Sequence, residues 1–267
     1  MIDDTTQRIA LGLEYDGSGY SGWQLQAGPE PTVQGKLEAA LAYIANEPVR
    51  TYCAGRTDAG VHAVNQVVHF DTVAQRDTRA WILGTNTCLP ADIRVRWAQP
   101  VSKEFHARFS ATARRYRYVI DNRQVRPALL GRQLSWTHKP LDAELMHQAG
   151  QALVGTHDFT SYRTVHCQAH SPIRTLEHLR VERMGNLVIL DVKANGFLHH
   201  MVRNIAGVLM AIGCGEQPAD WCRQVLELKD RTLGGVTAPP EGLFFMEVSY
   251  PQHFELPEAE IGLPFLV

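Results

Sequence analysis

Residues 114–120, Arg-Arg-Tyr-Arg-Tyr-Val-Ile, alternate basic side chains with aromatic or apolar ones. Successive side chains of an extended chain point to opposite faces, so this pattern predicts a strand with one charged face. Tyr116 and Tyr118 then share a face. Upstream, Arg8 to Tyr15 places Ile9, Leu11, Leu13 and Tyr15 on one side and reads as a half-buried strand. A Gly-rich loop covers 16–31. Thr32 is a good N-cap for an amphipathic helix over 33–46, where Val33, Leu37, Leu41 and Ile44 recur at helical spacing. Short strands are predicted at 49–53, 65–70 and 93–98, with a helix over 77–88 that stops before Pro90.

Downstream of the strand, Pro127, Gly131 and Pro140 interrupt the pattern, and the chain is expected to divide there into halves 1–125 and 126–267. The second half begins with a helix over 141–154. Strands at 176–183 and 187–194 flank Gly185-Asn186, a hairpin signal. Helices over 198–213 and 218–229 and a strand at 243–249 complete it. Both halves mix sheet and helix, and no repeat is visible between them.

Of the 267 residues 45% are hydrophobic and 20% charged, the composition of an ordinary globular protein rather than a disordered or fibrous one. No stretch approaches the roughly 18 unbroken apolar residues of a membrane span. The segment Met1-Ile2-Asp3-Asp4-Thr5 has acids where a signal peptide has bases. Five cysteines without a Cys-x-x-Cys pair suit reduced thiols, so a cytoplasmic location is expected. The net charge of −2 hides an asymmetry: residues 103–139 carry +7, and residues 216–267 carry −6. A basic face of this kind suits a polyanionic partner, although a solvated surface gives the same pattern.

Three motifs offer chemistry and fail their tests. Gly17-Ser-Gly19-Tyr-Ser-Gly22 follows a strand, as a dinucleotide-binding loop does, but Gly28, Pro29 and Pro31 intervene before the helix that should carry the pyrophosphate. It reads instead as a flexible loop that could touch substrate through Tyr20 and Trp23. Gly55 and Gly60 have phosphate-loop spacing, but Val61 and His62 stand where Lys and Ser or Thr belong. For a metal, Asp58 with His62, the pair His199-His200, and His166-Cys167-x-x-His170 are the candidates. None has a spacing that aims ligands at one ion, and packing or RNA-contacting histidines explain them more simply. No metal is therefore expected. What remains is Asp58 inside Ala54-Gly-Arg-Thr-Asp-Ala-Gly-Val-His-Ala63, between glycines that let a ligand approach the backbone. A lone Asp in such a turn is ordinarily only a turn residue.

The segment AGRTDAGVHA (54–63) resembles the signature of the tRNA pseudouridine synthase A family. The likeness continues through EYDGSGYSGWQ (14–24), TVQGKLEAAL (32–41), FHARFSATARRYRY (105–118), GTHDFTSY (155–162), KANGFLHHMVRNIAG (193–207) and EGLFF (241–245). The resemblance implies an α+β pseudouridine synthase fold: two similar α/β halves with mainly antiparallel sheets, joined across a central basic cleft. It further implies a homodimer that isomerises uridines at positions 38, 39 and 40 of the tRNA anticodon stem-loop. No cofactor is implied, because breaking N1–C1′ and rejoining the base through C5 imports no group and transfers no net electrons.

By the same resemblance Asp58 is the catalytic carboxylate. It either attacks the nucleoside covalently, as a nucleophile, or removes the 2′ proton to give a glycal, and the sequence leaves both open. Arg203 matches the basic residue that pairs with it, since a partly buried carboxylate needs a cation. Tyr116 matches the aromatic residue that stacks on the uracil, with Tyr118 the fallback. Arg56 is expected to enter the stem or bind its phosphate, and Arg114, Arg115 and Arg117 to contact phosphates. Leu243 resembles a pocket-wall residue, followed here by Phe244-Phe245 where Tyr-Leu is the family pattern. The rival readings are a tRNA-binding module without catalysis and a metal-dependent hydrolase built on Asp58, His62 and His199.

Overall fold

Strand β1 (Gln7–Tyr15) is paired along both edges, and that explains its burial. A computed structural model describes residues 6–165, 167–258, 262–263 and 265. The reading of Met1–Thr5, and His166 of the histidine–cysteine cluster, lie outside the described residues. The half-buried expectation for β1 needs correction, because Ala10 and Gly12 are as covered as the apolar face. A Cβ on Gly12 would stand 2.0 Å from the Trp97 indole, so that ring roofs the strand's second face.

After β1, Thr32 caps α1 (Val33–Ala45) through Gly35 N–H, and Asn46 ends it in the left-handed region. Strand β2 is only Tyr52–Cys53. The preceding Thr51 gives its N–H to the Glu38 side chain on α1, so the expected strand cannot start earlier. Strand β3 (His62–Thr72) pairs antiparallel with β1 and β2. The helix expected over 77–88 contains a π-helical stretch, Ala80–Gly84, before α2 (Thr85–Cys88). Strand β4 (Ile93–Val101) takes the other edge of β1. Phe70 and Trp81 meet edge to face at 5.2 Å inside this layer.

Strand β5 (Ala113–Asn122) begins the second group of elements. It carries the short β6 (Ser135–Thr137) as a parallel neighbour. Asp142 caps α3 (Ala143–Gly150), which presses Gly150 against Leu179. Strands β7 (Gly155–Asp158), β8 (Ile173–Met184) and β9 (Leu187–Ala194) complete an antiparallel run in the order β5-β9-β8-β7. Gly185, at φ +58°, makes the two-residue turn between β8 and β9. Helices α4 (Met201–Gly213) and α5 (Trp221–Leu228) follow. Strand β10 (Leu243–Ser249) lies beside β3.

Two units emerge from these contacts: Met1–Thr112 with Phe245–Val267, and Ala113–Phe244. By these contacts the first unit breaks off just before β5. The pairing of β5 with β9, and of β6 back onto β5, makes the proline- and glycine-interrupted stretch an excursion within the second unit. The mixed α+β class with mainly antiparallel strands is as the sequence led us to expect. No helix of the described residues is long and apolar enough to cross a membrane.

Candidate active site

Asp58 sits on a turn whose backbone is held from several sides within the first unit. Its carbonyl accepts the Val61 N–H at 3.2 Å, and Gly60 takes φ +78°, the left-handed value that the third position of such a turn favours for glycine. Thr57, just before it, is buried. The Thr57 hydroxyl meets Tyr15 Oη at 2.8 Å, and its carbonyl accepts the Trp23 N–H at 2.9 Å. Gln66, fully buried on β3, gives its side-chain amide to Gly55 O at 2.6 Å and accepts the Gly55 N–H at 3.3 Å. Sequence reasoning missed Tyr15, Thr57 and Gln66 as the holders of this turn. The available signal was a glutamine on the core side of an apolar strand, since a buried amide must find partners.

The loop Gly17–Gly22 is the other half of this clamp. A Cβ on Gly17 would meet Val61 O at 2.0 Å, and one on Gly22, at φ +92°, would meet Thr57 O at 2.8 Å. The expectation of a flexible loop touching substrate is therefore corrected. Tyr20 and Trp23 are buried, with Tyr20 Oη donating to Asp92 at 2.6 Å and Trp23 tilted against Tyr15 at 6.1 Å. His62 is buried too, and its Nδ1 accepts the Gly17 N–H at 3.1 Å. Asp16 Oδ1 lies 3.1 Å from the same nitrogen, but a nitrogen accepting a backbone N–H is not also a donor, so we read the pair as loop packing. His62 thus has a structural task that the metal-hydrolase reading did not foresee. Asp58 itself is half-buried, and Arg56, two residues earlier, is exposed.

The second unit carries Tyr116, Arg203 and Leu243. Tyr116 and Tyr118 do share a face of β5, yet their environments differ. Tyr118 is fully buried and its hydroxyl donates to Pro239 O at 2.9 Å. Burial pushes that phenol well above its ordinary range. Tyr116 keeps 9% of its surface exposed and meets Phe197 edge to face at 5.0 Å, which leaves Tyr116 the better placed to offer a ring. Arg203 lies in the first turn of α4. Its Nε donates to Ala238 O at 2.8 Å, and its own carbonyl accepts the Ala238 N–H at 3.1 Å. Leu243 and both following phenylalanines are buried.

The charged face of β5 has a partner that the sequence reading did not supply. Arg115 makes two hydrogen bonds to Asp191 at 2.8 Å, Arg117 Nε makes another at 2.7 Å, and His178 Nε2 approaches the same carboxylate at 2.8 Å. Burial works against ionisation of Asp191, but these three partners outweigh it and hold its carboxyl at about 2. Arg115 and Arg117 are thus engaged with Asp191 within the sheet. Arg114 donates to Asn195 O at 3.2 Å.

The sequence profile of the tRNA pseudouridine synthase family matches residues 13–110 and 149–251, and the chain belongs to that family. It is accordingly an isomerase that turns uridine into pseudouridine. The chain is 58% identical to the tRNA pseudouridine synthase A of Pseudomonas aeruginosa, over 97% of this chain and 91% of that one. It is also 58% identical to the Cronobacter sakazakii enzyme of the same name, over 99% and 98%. The Alcanivorax borkumensis counterpart is 56% identical over 96% of both.

Proposed function

We propose that this enzyme converts uridine to pseudouridine in the anticodon stem-loop of tRNA, at positions 38, 39 and 40, with Asp58 as nucleophile and no cofactor. One observation carries the reading: the family match takes in the whole Asp58 turn, and the residues around it hold the turn with Asp58 half-buried. That is the arrangement a reacting side chain needs, since a loosely held nucleophile loses its geometric advantage.

In this reading Asp58 attacks C1′ and the N1–C1′ bonding pair leaves on N1 of the uracil. The detached ring turns, C5 attacks C1′, the Asp58 ester bond breaks to restore the carboxylate, the C5 proton departs to solvent, and N1 takes up a proton. Atoms and electrons balance without an oxidant or an imported group. Tyr116 stacks on the ring as it turns, and Arg203 supports the ionised carboxylate. Arg56 enters the stem or binds the phosphate of the extruded nucleotide, and Leu243 forms part of the apolar wall. The enzyme acts as a cytoplasmic homodimer.

Tritium at uracil C5 of an unmodified tRNA tests the assignment, because pseudouridine formation alone releases it. The wild-type chain is expected to release one tritium per site and Asp58→Ala to bind tRNA yet release none. Substantial release by that variant would overturn the role of Asp58, and broken RNA would point to a hydrolase. Chelation with EDTA should leave turnover of prefolded tRNA intact.

A further inference from the structure

In the same unit as the Asp58 turn lies a group of rings that the proposed chemistry does not use, anchored on the buried His69 and open to solvent at its other members. Tyr52 of β2 stacks on His69 of β3 with centroids 5.1 Å apart and planes 20° from parallel. His69 meets His106 at 4.6 Å, Tyr52 meets His106 at 5.7 Å, and His106 meets Phe109 at 4.3 Å. The rings form one continuous set, yet Phe109 is 74% exposed and Tyr52 50%. Core packing would hide such rings, and exposing them together costs free energy unless something covers them.

The set is built rigidly. Nδ1 of His106 accepts the N–H groups of Arg108 and Phe109 at 3.1 and 3.3 Å, while the His106 N–H donates to Ser110 Oγ at 2.9 Å. Nδ1 of His69 accepts the Ala107 N–H at 3.1 Å. Below, Arg8 bridges Asp71 and the carbonyls of Lys103 and Phe105. Burial and the Arg8 charge push His69 down to about 3, and the same two causes lower His106, so these rings are neutral near pH 7.

The rim is cationic. The Arg108 guanidinium lies 5.5 Å from the Phe109 centroid, over its face. Burial raises the thiol of Cys53 to about 12 against the pull of the Arg56 and Arg108 charges. Arg56 in turn is two residues from Asp58. Neutral aromatic faces with an arginine over one of them, in the unit that carries the Asp58 turn, match the chemistry of an unstacked base and its phosphate.

We propose that Tyr52, His106 and Phe109 form a stacking platform for an unpaired base of the tRNA anticodon loop, with Arg108 taking the adjoining phosphate. The platform holds the loop while the target uridine is out of the stem. This rests on the proposed tRNA substrate, and the test separates the two. Phe109 is so exposed that truncating it leaves the fold intact. Phe109→Ala is expected to raise KM for tRNA roughly ten-fold with kcat nearly unchanged, and Phe109→Trp to restore KM, because stacking accepts any large ring. Arg108→Gln should lower the slope of log affinity against log salt by about one, whereas Phe109→Ala should not.

The direct readout is 2-aminopurine placed singly at each unpaired position of the anticodon loop. One position should be quenched by wild-type protein and not by Phe109→Ala. No quenching anywhere, or equal quenching by the variant, overturns the platform even if tritium release is normal. Absent tritium release with quenching intact would instead sink the isomerase reading and leave the platform standing. If Phe109→Ala alters sedimentation while KM for tRNA holds, the patch is a protein interface and the proposal is wrong.

Discussion

The α-carbon of Gly17 rests on the carbonyl of Val61, so close that a β-carbon would stand 2.0 Å from the oxygen. Val61 closes the Asp58 turn through its own N–H, and the contact therefore sets where the carboxylate stands. Gly17→Ala must separate the two loops, which costs about 1–3 kcal/mol as overpacking. Thermal unfolding should show that loss, and tritium release should fall at least ten-fold by the same geometric dependence. Gly19→Ala is the control, because nothing lies within 4 Å of its β-position. Equal behaviour of the two variants would show that the loop contact does not govern the turn.

Gly207 plays the same part on α4. A Cβ there would lie 1.8 Å from Val236 O, and the segment just after Val236 contains Ala238, the residue bonded both ways to Arg203. Gly207→Ala is expected to lift that segment and lower kcat more than KM. Unchanged kcat in a folded variant would mean that Arg203 needs no support from Ala238.

Acid should weaken the second unit through Asp191. Its carboxyl titrates at about 2 in the folded chain against a reference of 3.8, so the unfolded state takes up the proton first. The stabilisation is complete above roughly pH 5 and is lost as pH falls towards 2. It amounts to about 2 kcal/mol. Urea unfolding of Asp191→Asn should show that loss at pH 7 and a flatter decline between pH 5 and 2. A decline as steep as the wild type's would place the acid sensitivity elsewhere.

The two carboxylate routes separate by isotope. Deuterium at C2′ of the target uridine should leave turnover unchanged when Asp58 adds to C1′, since no C2′–H bond breaks. A primary isotope effect would transfer Asp58 to the role of base and replace the adduct with a glycal.

What the sequence disclosed was largely periodic. Alternation placed Tyr116 and Tyr118 together on β5, and helical spacing with Thr32 placed α1. Strands β6 and β7 escaped because Ser135–Thr137 and Gly155–Asp158 are short and offer no alternation of apolar residues. Long-range partners escaped for a different reason. Nothing near Arg115 reveals that Asp191, 76 positions away, waits across the sheet. Nothing in Gly-Ser-Gly-Tyr-Ser-Gly reveals that two of its glycines face the carbonyls of Val61 and Thr57. A motif read by its local spacing suggested phosphate, whereas its glycines answer to a neighbouring turn. Asp58 itself was legible only through the family likeness, because a turn aspartate looks the same whether or not it reacts.

The second unit is an insertion: residues 113–244 interrupt a unit that resumes at Phe245. During synthesis the interrupted layer lacks the strand that borders β3 until the whole insertion has been made. The inserted portion, contiguous in sequence, is available to settle earlier, and sequence-distant pairing is slow. The nascent chain would thus carry Asp58 on an unfinished scaffold until β10 has been made, so fragments that stop before Leu243 are expected to be inactive.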